Sequence, residues 1–379
     1  MPIIQWVFIL FFPFLLIKFV QKKQRAAIMS PILLCYLAGV TLANIPSIPL
    51  NPSISMLIAK IAVPLAIPLI LFSSDFMNCL RLAKRTLLSF GLIVISVLLS
   101  SSIGSYVFAS RVHEYWQVAG MLVGVYTGGT PNLMAVGMGL NVTEQTIILV
   151  NTADVLMGSL YILFLILLAK PILASFLPPF QSQNQSSTPN NFNHISPAEP
   201  LITEQKTTIK KLILAAGLST LIVGVSYLIS LLVIGQFELD FIILIITTLG
   251  IAGSFIKSVR EIEGTFEAGE YLLLVFSLAI GTTINFHYMA ISNYYIFYYV
   301  AFVLTGTVLL HFFLSYLFRI DVDTTIIVST AGIFGPPFIP PVATSIKNKE
   351  LIVTGITISL LGIALGNYLG FFLAYLLAP

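Results

Sequence analysis

Apolar runs long enough to cross a bilayer recur from one end of this chain to the other, and they limit its fold more than any motif does. A helix needs roughly 20 predominantly apolar residues to span about 30 Å of hydrocarbon. Such segments fall near 3–20, 29–46, 53–73, 86–109, 116–140 and 145–170. A second set falls near 210–234, 239–256, 270–289, 293–318, 323–345 and 351–377. Barrel strands are excluded, since they would alternate apolar and polar residues over about ten positions. Composition agrees: 58% of the 379 residues are hydrophobic and only 9% are charged, against roughly a quarter charged in soluble domains. The expected fold is an all-α polytopic membrane protein, multi-pass in a plasma membrane of the bacterial cytoplasmic (inner) type.

The net charge of +3 includes no Lys/Arg block suited to nucleic acid. Cys35 and Cys79 lack CxxC spacing and lie in or beside apolar segments, so they read as packing residues. Lys22, Lys23 and Arg25 follow the first apolar stretch, which is the order of a retained first helix with its N-terminus outside.

Residues 178–208 form a polar stretch rich in Ser, Asn, Gln and Pro, with no apolar period. It reads as a disordered linker between a first repeat, 1–177, and a second, 209–379. The halves correspond in detail. Segment five is interrupted by Tyr126-Thr127-Gly128-Gly129-Thr130-Pro131-Asn132, and segment eleven by Phe334-Gly335-Pro336-Pro337-Phe338-Ile339-Pro340-Pro341. Each break precedes a long segment with polar residues amid apolar ones: Asn151-Thr152-Ala153-Asp154 in one half, Gly366-Asn367 in the other. Gly/Pro interruptions at matching positions of two halves point to a transporter binding site.

Charge decides the topology. If both broken segments enter and leave on one face, nearly every loop Lys and Arg falls inside, with only Arg111 outside; that satisfies the positive-inside rule. Five crossings per half then remain, and an odd number inverts the second half relative to the first. Ten crossings and two opposed hairpins are expected.

Non-helical backbone survives at membrane depth only inside protein or against a polar cavity. Gly128 and Gly129 let the chain turn and a ligand approach, and Thr127, Thr130 and Asn132 add donors and acceptors. A helix starting near Pro131 would direct free N–H groups at a carboxylate or similar anion. At the second break Gly335 and Pro336 fix the shape, and Phe334 and Phe338 supply apolar walls. The competing reading is a pair of kinks, since Gly and Pro are common in membrane helices.

Asp154 is the sharpest single residue. A charge at a helix centre costs at least about 2.5–3.5 kcal/mol on insertion scales, and no Lys or Arg stands near it on its own segment. It therefore carries a proton or pairs with a cation from elsewhere. Asn151 shares its face one turn earlier, and with Thr152 and Asn367 it completes the candidate coupling-ion set for Na⁺ or H⁺. Asp75, Thr282, Thr283 and Asn285 are further polar candidates near segment ends, where capping is an equal alternative. Lys60 reads as a snorkelling anchor, Glu270 as interfacial, and Tyr295–Tyr299 as an aromatic belt. His113 and His194 sit in loops, and His287 and His311 read as packing residues.

The stretch Gly124 to Leu133, the segment Asn151 to Asp154 and the closing Gly362 to Gly370 resemble the YjcL-like family of uncharacterised integral membrane proteins, over nearly the whole chain. That resemblance implies membership of the broad clan of cation/proton antiporters and anion symporters. It implies an inverted repeat and a core domain with crossed discontinuous elements that slides against a panel domain.

The expected function is secondary active transport of a small solute, an organic anion or amino acid, coupled to Na⁺ or H⁺ by elevator-type alternating access. The alternative is a cation/proton antiporter, weakened by the lack of a second acidic residue or a basic partner beside Asp154. A channel or a non-transporting sensor or scaffold ranks below both. No enzyme is expected, because GxGD, HExxH and GxSxG contexts are missing. No cofactor is expected beyond the coupling ion, and no metal beyond a Na⁺ at Asp154. The expected partners are the solute and the lipid bilayer, with a homodimer left open.

Overall fold

The computed structural model describes residues 2–22, 31–45, 50–73, 84–180, 209–283, 294–348 and 350–379, and all regular structure among them is helical. The helices are α1 (Pro2–Lys22), α2 (Pro31–Ala43), α3 (Pro52–Phe72), α4 (Lys84–Phe108), α5 (Tyr115–Gly128), α6 (Thr130–Gly139) and α7 (Glu144–Phe164). The second half contributes α8 (Ile209–Ile234), α9 (Leu239–Phe255), α10 (Thr265–Gly281), α11 (Tyr294–Leu317), α12 (Val322–Phe334), α13 (Ile339–Ser345) and α14 (Leu351–Leu377). A π-helical stretch, Leu165–Ala169, and a last turn, Lys170–Leu173, prolong α7.

Among the described residues six helices are long and apolar enough to cross a membrane: α3, α4, α7 with its extension, α8, α11 and α14. The exterior is as apolar as hydrocarbon requires, with Leu232, Leu160, Leu309 and Phe313 largely exposed. Most of the expected linker, 181–208, lies outside the described residues; at its start the Pro178 carbonyl accepts from the Val322 amide at 3.0 Å.

Small residues allow the closest helix contacts. Gly269 of α10 sits against Ile70 and Ala66 of α3, and Gly281 against Gly39 and Tyr36 of α2. Gly104 of α4 lies under Tyr299 of α11, and Gly306 under Ser100. Without a hydrophobic driving force between helices in lipid, such close approach maximises van der Waals contact. Tyr299 is fully buried, stacked on Phe108, with its hydroxyl donating to the Tyr115 carbonyl at 3.1 Å. The expected aromatic belt therefore ends before Tyr299, which faces the protein because α4 packs over it. His311 is a packing residue as expected, its Nε2 3.2 Å from the Ser89 hydroxyl.

The interrupted segments are hairpins. In the first, Gly124 of α5 faces Asn132 of α6, Gly137 faces Met121, and Gly120 faces Leu140; partners that descend as their mates ascend mark antiparallel helices. The base is tied where the Glu114 carboxylate accepts from the Thr143 amide at 2.8 Å and its hydroxyl at 2.9 Å. Thr143 also caps α7 by accepting from the Thr146 amide.

The second hairpin runs up α12, turns through Pro336–Phe338 and returns along α13. Asp321 caps its first helix, accepting from the Thr324 amide at 2.8 Å. At its base the Asn348 amide donates to Asp323 at 2.9 Å. Lys170 pairs with Asp323 at 2.8 Å and donates to the Ile346 carbonyl at 2.6 Å.

Helix α7 thus starts at the base of the first hairpin and reaches the base of the second at Lys170, roughly 40 Å further along at 1.5 Å per residue. The two hairpins enter from opposite ends of the bundle. Helix α14 runs the other way, with Gly355 against Ile327 and Ile339, Gly362 against Thr127, and Gly370 against Gly120.

Candidate functional site

The hairpin tips share one backbone geometry. Gly129 has φ 89° and ψ −176°, and Gly335 has φ 81° and ψ −173°. This region is open essentially to glycine alone. A proline in the next helix's first turn follows each, Pro131 and Pro336, where a missing N–H costs nothing. The tips meet: a Cβ on Gly129 would stand 3.6 Å from the Phe334 carbonyl oxygen, and one on Gly335 4.0 Å from that of Gly128. Helix ends α5 and α12 present carbonyls at the meeting point, while α6 presents its N-terminus.

Around it lies a cavity of about 90 Å³. Its walls include Gly128, Gly129, Thr130 and Pro131 from one tip, and Phe334, Gly335, Pro336 and Phe338 from the other. Helix α7 adds Asn151 and Asp154, α2 adds Tyr36, and α10 adds Phe266, Glu270, Leu273 and Ser277. Asp154 is partly open to this cavity and takes part in none of the ion pairs among the described residues. The Tyr126 hydroxyl faces its carboxyl but has no hydrogen bond of ordinary geometry.

The other sequence candidates take separate places. Thr127 and Asn132 are fully buried just behind the tip, and the Asn132 side chain donates to the Ile363 carbonyl of α14 at 3.1 Å. Thr152 turns aside to α2, where its hydroxyl accepts from Tyr36 at 3.0 Å. Asn367 lies one turn beyond Ile363 and donates to the Thr247 hydroxyl of α9 at 2.9 Å, away from the cavity wall. Thr282 bonds Ser55 at 2.6 Å in a clamp that includes Gln5, and Thr283 caps its own helix end. Asp75 and Asn285 lie outside the described residues. Lys60 pairs with Glu144 at 2.5 Å instead of snorkelling alone, because α3 brings it beside the start of α7.

Gly128 acts as a packing glycine: a Cβ there would stand 2.5 Å from the Gly362 carbonyl oxygen, so α14 fills the space expected for a ligand. Glu270 also departs from expectation. It lines the cavity, its Oε1 enclosed and without a hydrogen-bond partner among the described residues. Its helix starts at Thr265, five residues earlier than the hydropathy boundary, which carries it inward from the interface. The spacing of Phe266, Glu270, Leu273 and Ser277 on one helical face was the available signal. Among the described residues several oxygens near the tip also lack a hydrogen-bond partner: Tyr126 Oη, Thr127 Oγ1, Asn132 Oδ1 and Asn151 Oδ1. Buried acceptors left this way each cost about 1–3 kcal/mol, and are suited to a cation.

The family described as "Protein of unknown function (DUF819)" matches residues 8–378. The chain belongs to this family. A relative described as "Uncharacterized membrane protein YjcL", from Bacillus subtilis (strain 168), is 22% identical over 377 residues, covering 97% of this chain and 95% of the relative. With six helices among the described residues able to span a bilayer, this DUF819 chain is a multi-pass membrane protein.

Proposed function

We propose that this protein is a secondary active transporter that moves a small organic anion or amino acid, coupled to Na⁺ or H⁺, by alternating access. The observation that carries the reading is the meeting of two oppositely entering hairpins at Gly129 and Gly335, beside the partly open carboxyl of Asp154. The N-terminus of α6 attracts an anion, while Pro336, Pro337, Pro340 and Pro341 leave the second tip few free N–H groups. Paired C-terminal carbonyls, the Asn151 amide oxygen and Asp154 attract a cation, and discontinuous helices at mid-membrane serve both purposes in known transporters.

On this reading each half supplies five crossings and one re-entrant hairpin, with the second half inverted. The hairpins with α7 and α14 form the moving core, and α2, α3 and α10 belong to the panel. Asp154 carries the coupling ion, and the tips hold the solute. The protein is not an enzyme and needs no cofactor beyond that ion. A second reading, cation/proton exchange, gains from Glu270, a second acidic side chain in the same cavity.

A thermal-shift screen of small anions and amino acids, with and without Na⁺ and at several pH values, followed by gradient-driven flux in proteoliposomes, tests the proposal. Ligand that binds only the folded state raises its apparent stability. Cation-dependent stabilisation by an organic anion, with accumulation against its gradient, supports symport. Proton efflux driven by a cation gradient without any anion supports exchange. Uptake that only equilibrates, independent of ion gradients, overturns both.

A further inference from the structure

Glu270 stands apart from the coupling residues read in the sequence, and it takes part in none of the ion pairs among the described residues. Its enclosed Oε1 has no hydrogen bond among the described residues, and its side chain lines the cavity that Asp154 also lines. Among the described residues, charged groups on neighbouring elements are committed elsewhere or lie on the same helix. Lys60 of α3 pairs with Glu144, and Lys211 of α8 pairs with Glu263. Lys18 of α1 lies over the Phe14 ring. Glu267 precedes Glu270 by one turn on α10 and adds like charge. Helix α2 contributes only Tyr36, bonded to Thr152, and the free thiol of Cys35.

The two carboxyls stand on different helices of one cavity wall. Asp154 is about ten residues, roughly 15 Å, into α7 from the end where the first hairpin enters. Glu270 is about five residues, roughly 8 Å, into α10 from the opposite end. That direction follows from α3, which runs antiparallel to α10: Ser55 bonds Thr282 at one end, and Ile70 meets Gly269 at the other. Lys60 then ties the Ser55 end of α3 to Glu144 at the first hairpin's base.

We propose that Glu270 is a second monovalent-cation site, for Na⁺ or a proton, in the cavity that Asp154 also lines. An acidic side chain held in low dielectric without a partner favours the species that neutralises it, and a monovalent cation does so while leaving the exchange reversible. One cation bound at each carboxyl doubles the charge that a single Asp154 would couple to the solute. The inference rests on the transport reading for its cavity, but its test separates the two.

The test is difference infrared spectroscopy of the purified protein in lipid, recorded on switching Na⁺ at constant pH and on switching pH at constant Na⁺. The parent should show two separable carboxyl signals in at least one of these switches, and which switch evokes each tells Na⁺ from proton. Glu270→Gln should lose one signal and keep the other, Asp154→Asn the reverse, and Glu270→Asp should shift the first signal in frequency. Spectra of Glu270→Gln identical to the parent overturn the second site and leave transport through Asp154 standing. If instead Asp154→Asn matches the parent while Glu270→Gln loses its signal, Glu270 stands and the coupling role of Asp154 falls. Should Glu270→Gln fail to fold, an unshifted signal in Glu270→Asp overturns the proposal.

Discussion

Replacing Gly129 or Gly335 with alanine isolates backbone conformation from space. At both positions a Cβ meets nothing closer than 3.6 Å, so neither substitution clashes. Both residues sit near φ 80–90° with ψ close to 180°, where an L-residue is strained by about 1–3 kcal/mol. The tip relieves that strain by leaving the observed geometry. If the solute binds only the observed geometry, its apparent affinity falls by the same factor as the population of competent tips, about 5- to 150-fold at 1.4 kcal/mol per decade. The two substitutions should act alike, because the two glycines have nearly the same angles. Gly128→Ala is the control, since its Cβ would strike the Gly362 carbonyl oxygen and the Asn132 amide at 2.5 and 2.6 Å. It should lower thermal stability and folded yield, whereas Gly129→Ala and Gly335→Ala should fold normally and raise the half-saturating solute concentration. The assay is initial-rate flux against solute concentration in proteoliposomes, beside detergent melting curves. A well-folded Gly129→Ala with the parent's apparent affinity would refute the argument, because the tip would not then depend on a glycine-only backbone.

Asp154→Asn should insert, fold and abolish gradient-driven flux, and Asn151→Ala should weaken apparent cation affinity less, as it removes a neutral ligand; unchanged ion dependence in Asp154→Asn would make that aspartate structural. Lys170→Ala should destabilise the protein by about 1–3 kcal/mol, reduced from the cost of breaking a fully buried pair because Lys170 is partly exposed, since it strips Asp323, 6% exposed, of its cation. Lys60→Ala should cost under about 1 kcal/mol because both members of its pair are exposed, and melting curves that rank these two variants the other way would contradict the clamp at the second hairpin. Single cysteines at Asn141 and Lys347, at the bases of the two hairpins, should react with impermeant reagent from opposite faces of the membrane; labelling of both from one face would rule out opposed hairpins.

Sequence alone determined the parts of this protein that follow from local composition. Apolar runs cannot face water, so the membrane class and helical content were legible, and so were the two breaks, because glycine and proline punctuate a helix whatever surrounds them. Asp154 and Asn151, which line the cavity, were legible as candidates for the same reason: a polar residue amid a long apolar run draws notice. Tertiary structure decided everything that depends on which helix meets which. Gly128 and Gly129 are adjacent and chemically identical, yet α14 makes the first a packing residue and the tip angle makes the second a conformational one. Asn367 and Thr152 lie on the expected helices but turn toward Thr247 and Tyr36, because helical phase fixes a face and only packing fixes what that face meets. Glu270 was misplaced because hydropathy marks where apolar residues begin, whereas α10 begins with hydrogen bonding at Thr265 and buries its first turns against α3. The cavity itself draws its walls from both halves of the chain, and a site built from such distant contacts exists only once the hairpins have met.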